Sequence, residues 1–303
     1  MLKGQNFRVL LYDATAEKMK VVAMATNCTI NLNNNVEQAS TKDDVGMFDM
    51  PSVMSHGWSV QVESLNVLDI ARFLNGIKTS SQFNLMWDVV DDSDNQTITG
   101  DYTGRNGQAY LTDCTFSFNN RENSAKNLTF VGCSELSSTS TSIPHEAIAV
   151  PGTLTKGQFV RLFLAPDATT TPANVIAYAQ QLQLHVAVQM ESVTTKDTAG
   201  NFDLQAPAGI SYDITSTALV VGNDTITSQV GGYGLLEQET NAINGTLVKW
   251  QIANVSGANN RTKGSVLVSG KALVQSLQIN SQNRQAVTFT ANMQGYGEYT
   301  VGA

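Results

Sequence analysis

The sequence predicts a mainly β protein, built as two related domains in tandem with one flanking helix in each. Three observations predict it. Apolar and polar residues alternate over several long segments, as they do in strands with one buried face. Charged residues make up only 15% of the chain, against roughly 25% in an average soluble protein, and Asn, Gln, Ser and Thr carry the polarity instead. The second half of the chain also repeats the first.

The repeat is read by sliding the sequence along itself. An offset of 154 sets Asp13-Ala14-Thr15 on Asp167-Ala168-Thr169, Thr41-Lys42-Asp43 on Thr195-Lys196-Asp197, Gly46 on Gly200, Phe48 on Phe202, Trp58 on Tyr212 and Leu65 on Leu219. An offset of 163 then sets Trp87 on Trp250, Gly107 on Gly270, Ala109 on Ala272, Asn120-Arg121 on Asn283-Arg284, Gly132 on Gly295 and Glu135 on Glu298. The growth from 154 to 163 places nine extra residues between Leu219 and Trp250. The starts agree too, with Lys3-Gly4-Gln5 on Lys156-Gly157-Gln158. Between the copies runs SELSSTSTSIPHEAIAVPGTLT, whose Ser, Thr and Pro content is that of a linker. The expected division is therefore 1–137, a linker over 138–155, and 156–303, which suits a chain of 303 residues with 42% hydrophobic content.

Each copy supplies four two-faced strands. In CTINLNNNVE, Cys28, Ile30, Leu32 and Val36 fall on the expected buried side. In LQLHVAVQME, Leu182, Leu184, Val186, Val188 and Met190 do the same. Trp58, Val60 and Val62 oppose Ser59, Gln61 and Glu63, and Tyr212 and Ile214 oppose Ser211, Asp213 and Thr215. The last two strands span 272–281 and 286–295, with 110–118 and 127–132 as their counterparts. A helical period appears once clearly, in Val67, Leu68, Ile70, Ala71, Phe73, Leu74 and Ile77 between Asn66 and Gly76. The matching ITSQVGGYGLLEQETNAI carries three glycines that weaken it.

The polar faces are unusual in what they lack. Thr29, Asn31, Asn33, Asn35, Glu37, Ser59, Gln61, Glu63, Gln183, Gln189, Glu191, Ser211, Asp213, Thr215, Ser276, Gln278, Thr288, Thr290, Asn292 and Gln294 include no Lys and no Arg. A water-facing strand usually carries lysine and glutamate for solubility and to block edge pairing. One explanation is chance in a low-charge chain. The other is a surface that faces a polyanion without holding it, because each cation on a phosphate releases counterions and adds affinity. A net charge of −8, a pI near 4.8 and the lack of any basic run exclude ordinary nucleic-acid binding.

Order and content together resemble a known family. SGKALVQSLQINSQNRQAVTFTANMQGYGEY, a Gly-x-Ala strand, a polar turn and a Thr-Phe-Thr strand running into Gly-x-Gly, resembles the C-terminal signature of tailed-bacteriophage tail tube (major tail) proteins. The TKDxxGxF stretch with the aromatic strand after it, in HGWSVQVESL and GISYDITSTAL, is similar to the family's long loop and next strand. The likeness recurs once per copy, although the first copy ends FVGCSEL where Gly-x-Gly is expected. It implies two tandem tail-tube-like β-sandwich or barrel domains whose inner strands join those of neighbours around a lumen. The twenty polar residues above would then face that lumen. Thr41, Lys42, Asp43, Asp44, Gly46 and Phe48, with Thr195, Lys196, Asp197, Gly200 and Phe202, would lie in loops reaching the adjacent ring, the alternative being a plain hairpin turn with a buried Phe. The implied assembly is three chains closing a pseudo-sixfold ring, or six chains with the two domains stacked along the axis or one of them outside. The implied partners are further copies of the chain, other tail proteins such as baseplate, terminator, tape measure and sheath, and double-stranded DNA in passage. No membrane binding and no cofactor is expected. A tandem β-sandwich adhesin, or another ring-forming tail or baseplate component, is the competing reading.

Catalytic chemistry finds no constellation. Asp43-Asp44 and Asp91-Asp92 are adjacent acids of the kind common in loops; His56, His145 and His185 have no companion at ligand or triad spacing; GGYG at 231–234 lacks the Lys and Ser/Thr of a phosphate loop. Trp87 and Trp250 read as core. Cys28, Cys114 and Cys133 show no CxxC and read as buried thiols, without disulfide or metal. The short apolar run at the start and the absence of a segment of roughly 18 apolar residues predict a chain made and folded in the cytosol. Seven N-x-S/T sequons then follow from the abundance of Asn and Thr.

Overall fold

The computed structural model describes residues 3–13, 18–22, 25–38, 51–65, 70–90, 104–138, 154–165, 168, 171–176, 178–196, 201–220, 232–233, 235–256 and 262–302. The protein is mainly β. In the first half run β1 (Phe7–Asp13), β2 (Lys18–Val21), β3 (Ala25–Gln38), β4 (Pro51–Ser64), helix α1 (Ile70–Lys78), β5 (Gln82–Val89), β6 (Arg105–Asn119), β7 (Ala125–Gly132) and the short β8 (Ser137–Ser138). The second half holds β9 (Val160–Leu164), β10 (Asn174–Ile176), β11 (Ala179–Ser192), β12 (Gln205–Leu219), β13 (Gly232–Tyr233), helix α2 (Leu235–Asn244), β14 (Leu247–Ser256), β15 (Thr262–Asn280) and β16 (Thr288–Val301).

Hydrogen-bonded neighbours follow one order in both halves. The first runs β2-β1-β5-β6-β7-β4-β3, the second β10-β9-β14-β15-β16-β12-β11 with β13 beyond β10. Register agrees as well as order. Thr29 faces Gln61 as Gln183 faces Thr215; Glu63 faces Asn127 as Thr217 faces Thr290; Thr115 faces Asn127 as Gln278 faces Thr290. These pairs correspond under the offsets of 154 and 163. The register shifts between Leu111 and Asp113 and between Val274 and Ser276 correspond too, as do the left-handed turn residues Arg121 and Arg284.

The matched aromatics and glycines meet in space. Trp58 lies across Gly107 and Gly132 and packs edge-on against Trp87, with ring centroids 5.6 Å apart. Tyr212 lies across Gly270 and Gly295 against Trp250 at 5.8 Å. A Cβ on Gly132 would stand 2.3 Å from the Trp58 ring, and one on Gly295 2.4 Å from the Tyr212 ring. The missing side chains are thus the space the rings fill.

The two halves share one sheet. β5 occupies the edge of β6 only along 105–110, and β11 takes the rest of that edge, antiparallel, from Gln181 opposite Asn119 to Ala187 opposite Asp113. Eight strands are consequently neighbours in a single band, β15-β16-β12-β11-β6-β7-β4-β3. Its inner side carries Leu182, Leu184, Val186, Cys114, Phe116 and Phe118 from the two sides of the joint, all buried in a core common to both halves. Full burial of a Val, Leu or Phe side chain contributes about 1.5–3 kcal/mol. Helix α1 adds a second tie: its apolar stripe of Ile70, Phe73, Leu74 and Ile77 is buried, the Tyr299 hydroxyl donates to the Leu74 carbonyl at 2.8 Å, and Lys78 pairs with Glu298 at 3.2 Å.

Several expectations need correction. Leu32 and Val36 are exposed, because β3 ends the band and no strand among the described residues lies beyond it. Gly76 does not stop α1, which continues to Lys78; its vacant Cβ position is taken by the Phe83 ring. Asn66, Val67 and Leu68 lie outside the described residues. His56 sits within β4. Each half also holds outer strands beyond the four expected, namely β1, β2 and β5 in the first and β9, β10 and β14 in the second.

Gly132→Ala should lower stability by about 1–3 kcal/mol in denaturant unfolding, since the bulk of an indole must move. Gly57→Ala, with no atom within 4 Å of its Cβ position, should change it by under about 0.5 kcal/mol.

Candidate functional site

The face of the eight-stranded band turned away from the core is mainly polar, with Tyr110, Val131, Lys271, Leu273 and Tyr296 grouped along part of it. Not one of the twenty polar-face residues expected from the sequence is buried. Asp113, Thr115, Ser117, Asn127, Thr129 and Thr217 extend the same face, again without Lys or Arg. Cross-strand bonds organise it: Asn292 donates to Ser276 at 2.9 Å, Thr215 donates to Asn292 at 2.9 Å, and Thr217 meets Thr290 at 3.1 Å. Side chains that bond one another across the strands are held flat against the sheet.

A charged cluster marks the joint between the halves. His185 on β11 stands opposite Asp213 on β12 and diagonal to Asp113 on β6. Its Nδ1 is 2.8 Å from Asp213 Oδ1 and its Nε2 is 2.7 Å from Asp113 Oδ2. Burial pushes the imidazole pKa down, but hydrogen bonds and charge attraction from Asp113 and Asp213 outweigh it, and the pKa is raised above the ordinary value. An imidazolium can donate from both nitrogens at once; a neutral ring would turn one lone pair toward a carboxylate. Sequence spacing gave no hint of this trio. Asp213 could be found from the hairpin register, but Asp113 is brought in by the junction of the two copies, which leaves no local signal.

The echoed stretch is described in one copy only in part. Thr41, Lys42, Asp43, Asp44, Gly46 and Phe48 lie outside the described residues, as do Asp197, Gly200, Asp91, Asp92 and His145. Thr195 and Lys196 are exposed beyond the end of β11. Phe202 is buried, its ring 5.7 Å from His56 of the first half in an edge-on contact. Backbone bonds flank it, from His56 N to Asn201 O at 2.8 Å and from Asp203 N to His56 O at 3.1 Å. The root of the second loop is thereby fixed on β4.

Burial pushes the Cys28 thiol up to about 11 and raises Cys114 and Cys133 as well, so none is a ready nucleophile. Trp87 and Trp250 are buried in the core. Among the described residues no group of three or more His, Cys, Asp or Glu is arranged to hold a metal ion, and no helix is long and apolar enough to cross a membrane.

No family model and no curated protein matches the chain. Solved tail structures do. The chain is similar to the SPP1 tail tube at 19% identity, over 48% of this chain and 78% of the other, with a TM-score of 0.36. It is similar to the tail of an empty GTA particle at 14% identity, over 47% of this chain and 96% of the other, TM-score 0.35. A third likeness is to the virion of a native gene transfer agent particle, at 12% identity over 49% and 99%, TM-score 0.34.

A raised folded-state pKa fixes the sign of one pH effect. His185 contributes stability that is present in full below its unfolded value of about 6.5 and is lost as pH rises through the higher folded value. In thermal melts the gap between the native chain and His185→Asn should be widest near pH 6 and shrink above it; a gap independent of pH between 6 and 9 contradicts the assignment.

Proposed function

We propose that this chain is a tail tube protein of a tailed bacteriophage, a structural virion component with two tail-tube domains joined by the linker over 138–155. Its rings stack into the conduit through which DNA passes into the host. The observation that supports this best is the eight-stranded band: one face packs the core, the other is mainly amide and hydroxyl with Lys271 near one end, and each end has strand edge left to pair among the described residues. A sheet open at both ends continues into another copy or aggregates. When the continuation repeats one rotation that closes on itself, the copies form a ring.

The dimensions support three chains. Eight strands per chain give 24, which at about 4.8 Å spacing make a wall about 115 Å around and about 37 Å across before tilt widens it. Side chains of about 5 Å leave a bore of about 27 Å, enough for a duplex roughly 20 Å across. A lining poor in Lys and Arg, whose His185 imidazolium is already paired with Asp113 and Asp213, offers phosphate few ion pairs, and its carboxylates, Glu63 among them, repel it. DNA would slide rather than bind. The polar-face residues are on this reading the lumen lining, and the loops holding Thr41–Phe48 and Thr195–Phe202 carry ring-to-ring contact through their exposed parts. Baseplate, terminator, tape measure and sheath proteins would meet the tube at its ends, bore and outer wall. The chain is made in the host cytoplasm and resides in the virion tail.

Negative-stain microscopy and native mass measurement of purified protein test this. Rings or tubes are expected, with a ring mass three times the 32.6 kDa chain. A ring of six chains would overturn the trimer; a discrete particle that never assembles would favour a binding module and overturn the tube.

A further inference from the structure

The joint inside the chain specifies the joint between chains. β11 pairs with β6 because the far part of one edge of β6, 113–119, is left open by β5. The second half reproduces that opening: β14 pairs with β15 only up to Leu273, and residues 274–280 have β16 on one side and no partner on the other among the described residues. The counterpart of β11 is β3, whose outer edge is likewise unpaired among the described residues. The chain therefore carries both members of a second joint at opposite ends of the band.

We propose that β3 of one chain adds antiparallel to the 276–281 stretch of a second copy, in the register the internal joint dictates. This rests on the tube reading and names its chain-to-chain contact. Carried over by the two offsets, His185 opposite Thr115 becomes Asn31 opposite Gln278, Val186 opposite Cys114 becomes Leu32 opposite Leu277, and Leu184 opposite Phe116 becomes Ile30 opposite Ile279. Exposure supports the same match. Val186 and Phe116 are 0% exposed at the internal joint, whereas Leu32, in the place of Val186, is 68% exposed and Ile279, in the place of Phe116, is 50%. Both are apolar side chains on the core side of the band that only another strand would cover. The helices differ in the same sense: α1 crosses the internal joint to Tyr299 and Glu298, while α2 leaves Leu236 and Ile243 65% and 76% exposed.

The two joints are chemically distinct. Where the internal one places Asp113, His185 and Asp213, the external one places Ser276, Asn31 and Ser59. An exchanged pairing of β11 with the 276–281 stretch would strip His185 of Asp113, and one of β3 with β6 would leave Asp113 without its imidazolium. Covalent and non-covalent joints thus alternate, and three chains close six joints.

Cysteine cross-linking tests the register. Under mild oxidation, purified Asn31→Cys/Gln278→Cys protein should form covalent dimers and a closed trimer on non-reducing gels, and the two single variants should not. Asn31→Cys/Leu277→Cys, shifted by one residue and so on opposite faces, should cross-link at least tenfold less. Equal cross-linking of the shifted pair, or none from the first pair while microscopy still shows rings, overturns the register and leaves the tube reading standing. Native protein that forms no rings overturns both. Leu32→Asp should abolish ring formation with the melting temperature of the single chain unchanged; rings from Leu32→Asp would overturn the proposal.

Discussion

Everything in this molecule depends on how one edge of β6 is divided. A strand has two edges of N–H and C=O groups, and each must find protein or water. One edge of β6 goes to β7 and β8; the other is split between β5, along 105–110, and β11, along 113–119. Had β5 run the full length, β11 would have no place to dock, and the halves would be separate sandwiches on a linker. The bulge at Thr112, which breaks register between Leu111 and Asp113, lies where the two uses of the edge meet. The second half holds the same bulge at Gln275 and the same division, with the corresponding stretch unpaired on that edge among the described residues.

That division separates two kinds of surface. Between the band and the outer strands the chain builds an ordinary close-packed core of Trp, Phe, Leu and Val, with Lys126 drawn inside over the Phe73 ring at 4.6 Å. On the far side it presents amides, hydroxyls and a few carboxylates that bond one another across strands. Of the chain's 18 lysines and arginines, Lys271 on β15 reaches this face, opposite Tyr296, while most of the other described ones lie on the outer strands, turns, α1 or the inner side.

Much of this was legible in the sequence, and for a physical reason. Duplication leaves matched residues wherever packing admits few alternatives, so the Trp58–Gly107–Gly132 and Tyr212–Gly270–Gly295 sets could be aligned before it was known that they touch. Alternation placed the polar face correctly, because a period of two survives any error in strand ends. What could not be read is what arises between copies. Leu32 looks like a core residue by pattern and is bare in the single chain, since pattern marks an apolar position and not what covers it. The His185 trio needed a register between strands some 70 residues apart. Phe202 was read either as part of an outward loop or as the buried Phe of a turn; its ring is buried against His56 across the boundary between the halves, a contact with no counterpart in local spacing.

Helical reconstruction of the assembled tube, at a resolution that separates strands, tests the central claim most directly. The account predicts an inner wall of 24 strands from three chains, Asn31 of each chain beside Gln278 of the next, and the Ser276–Asn292–Thr215 row facing the bore. An inner wall with this row buried in protein, or a bore lined by lysine and arginine, would contradict it.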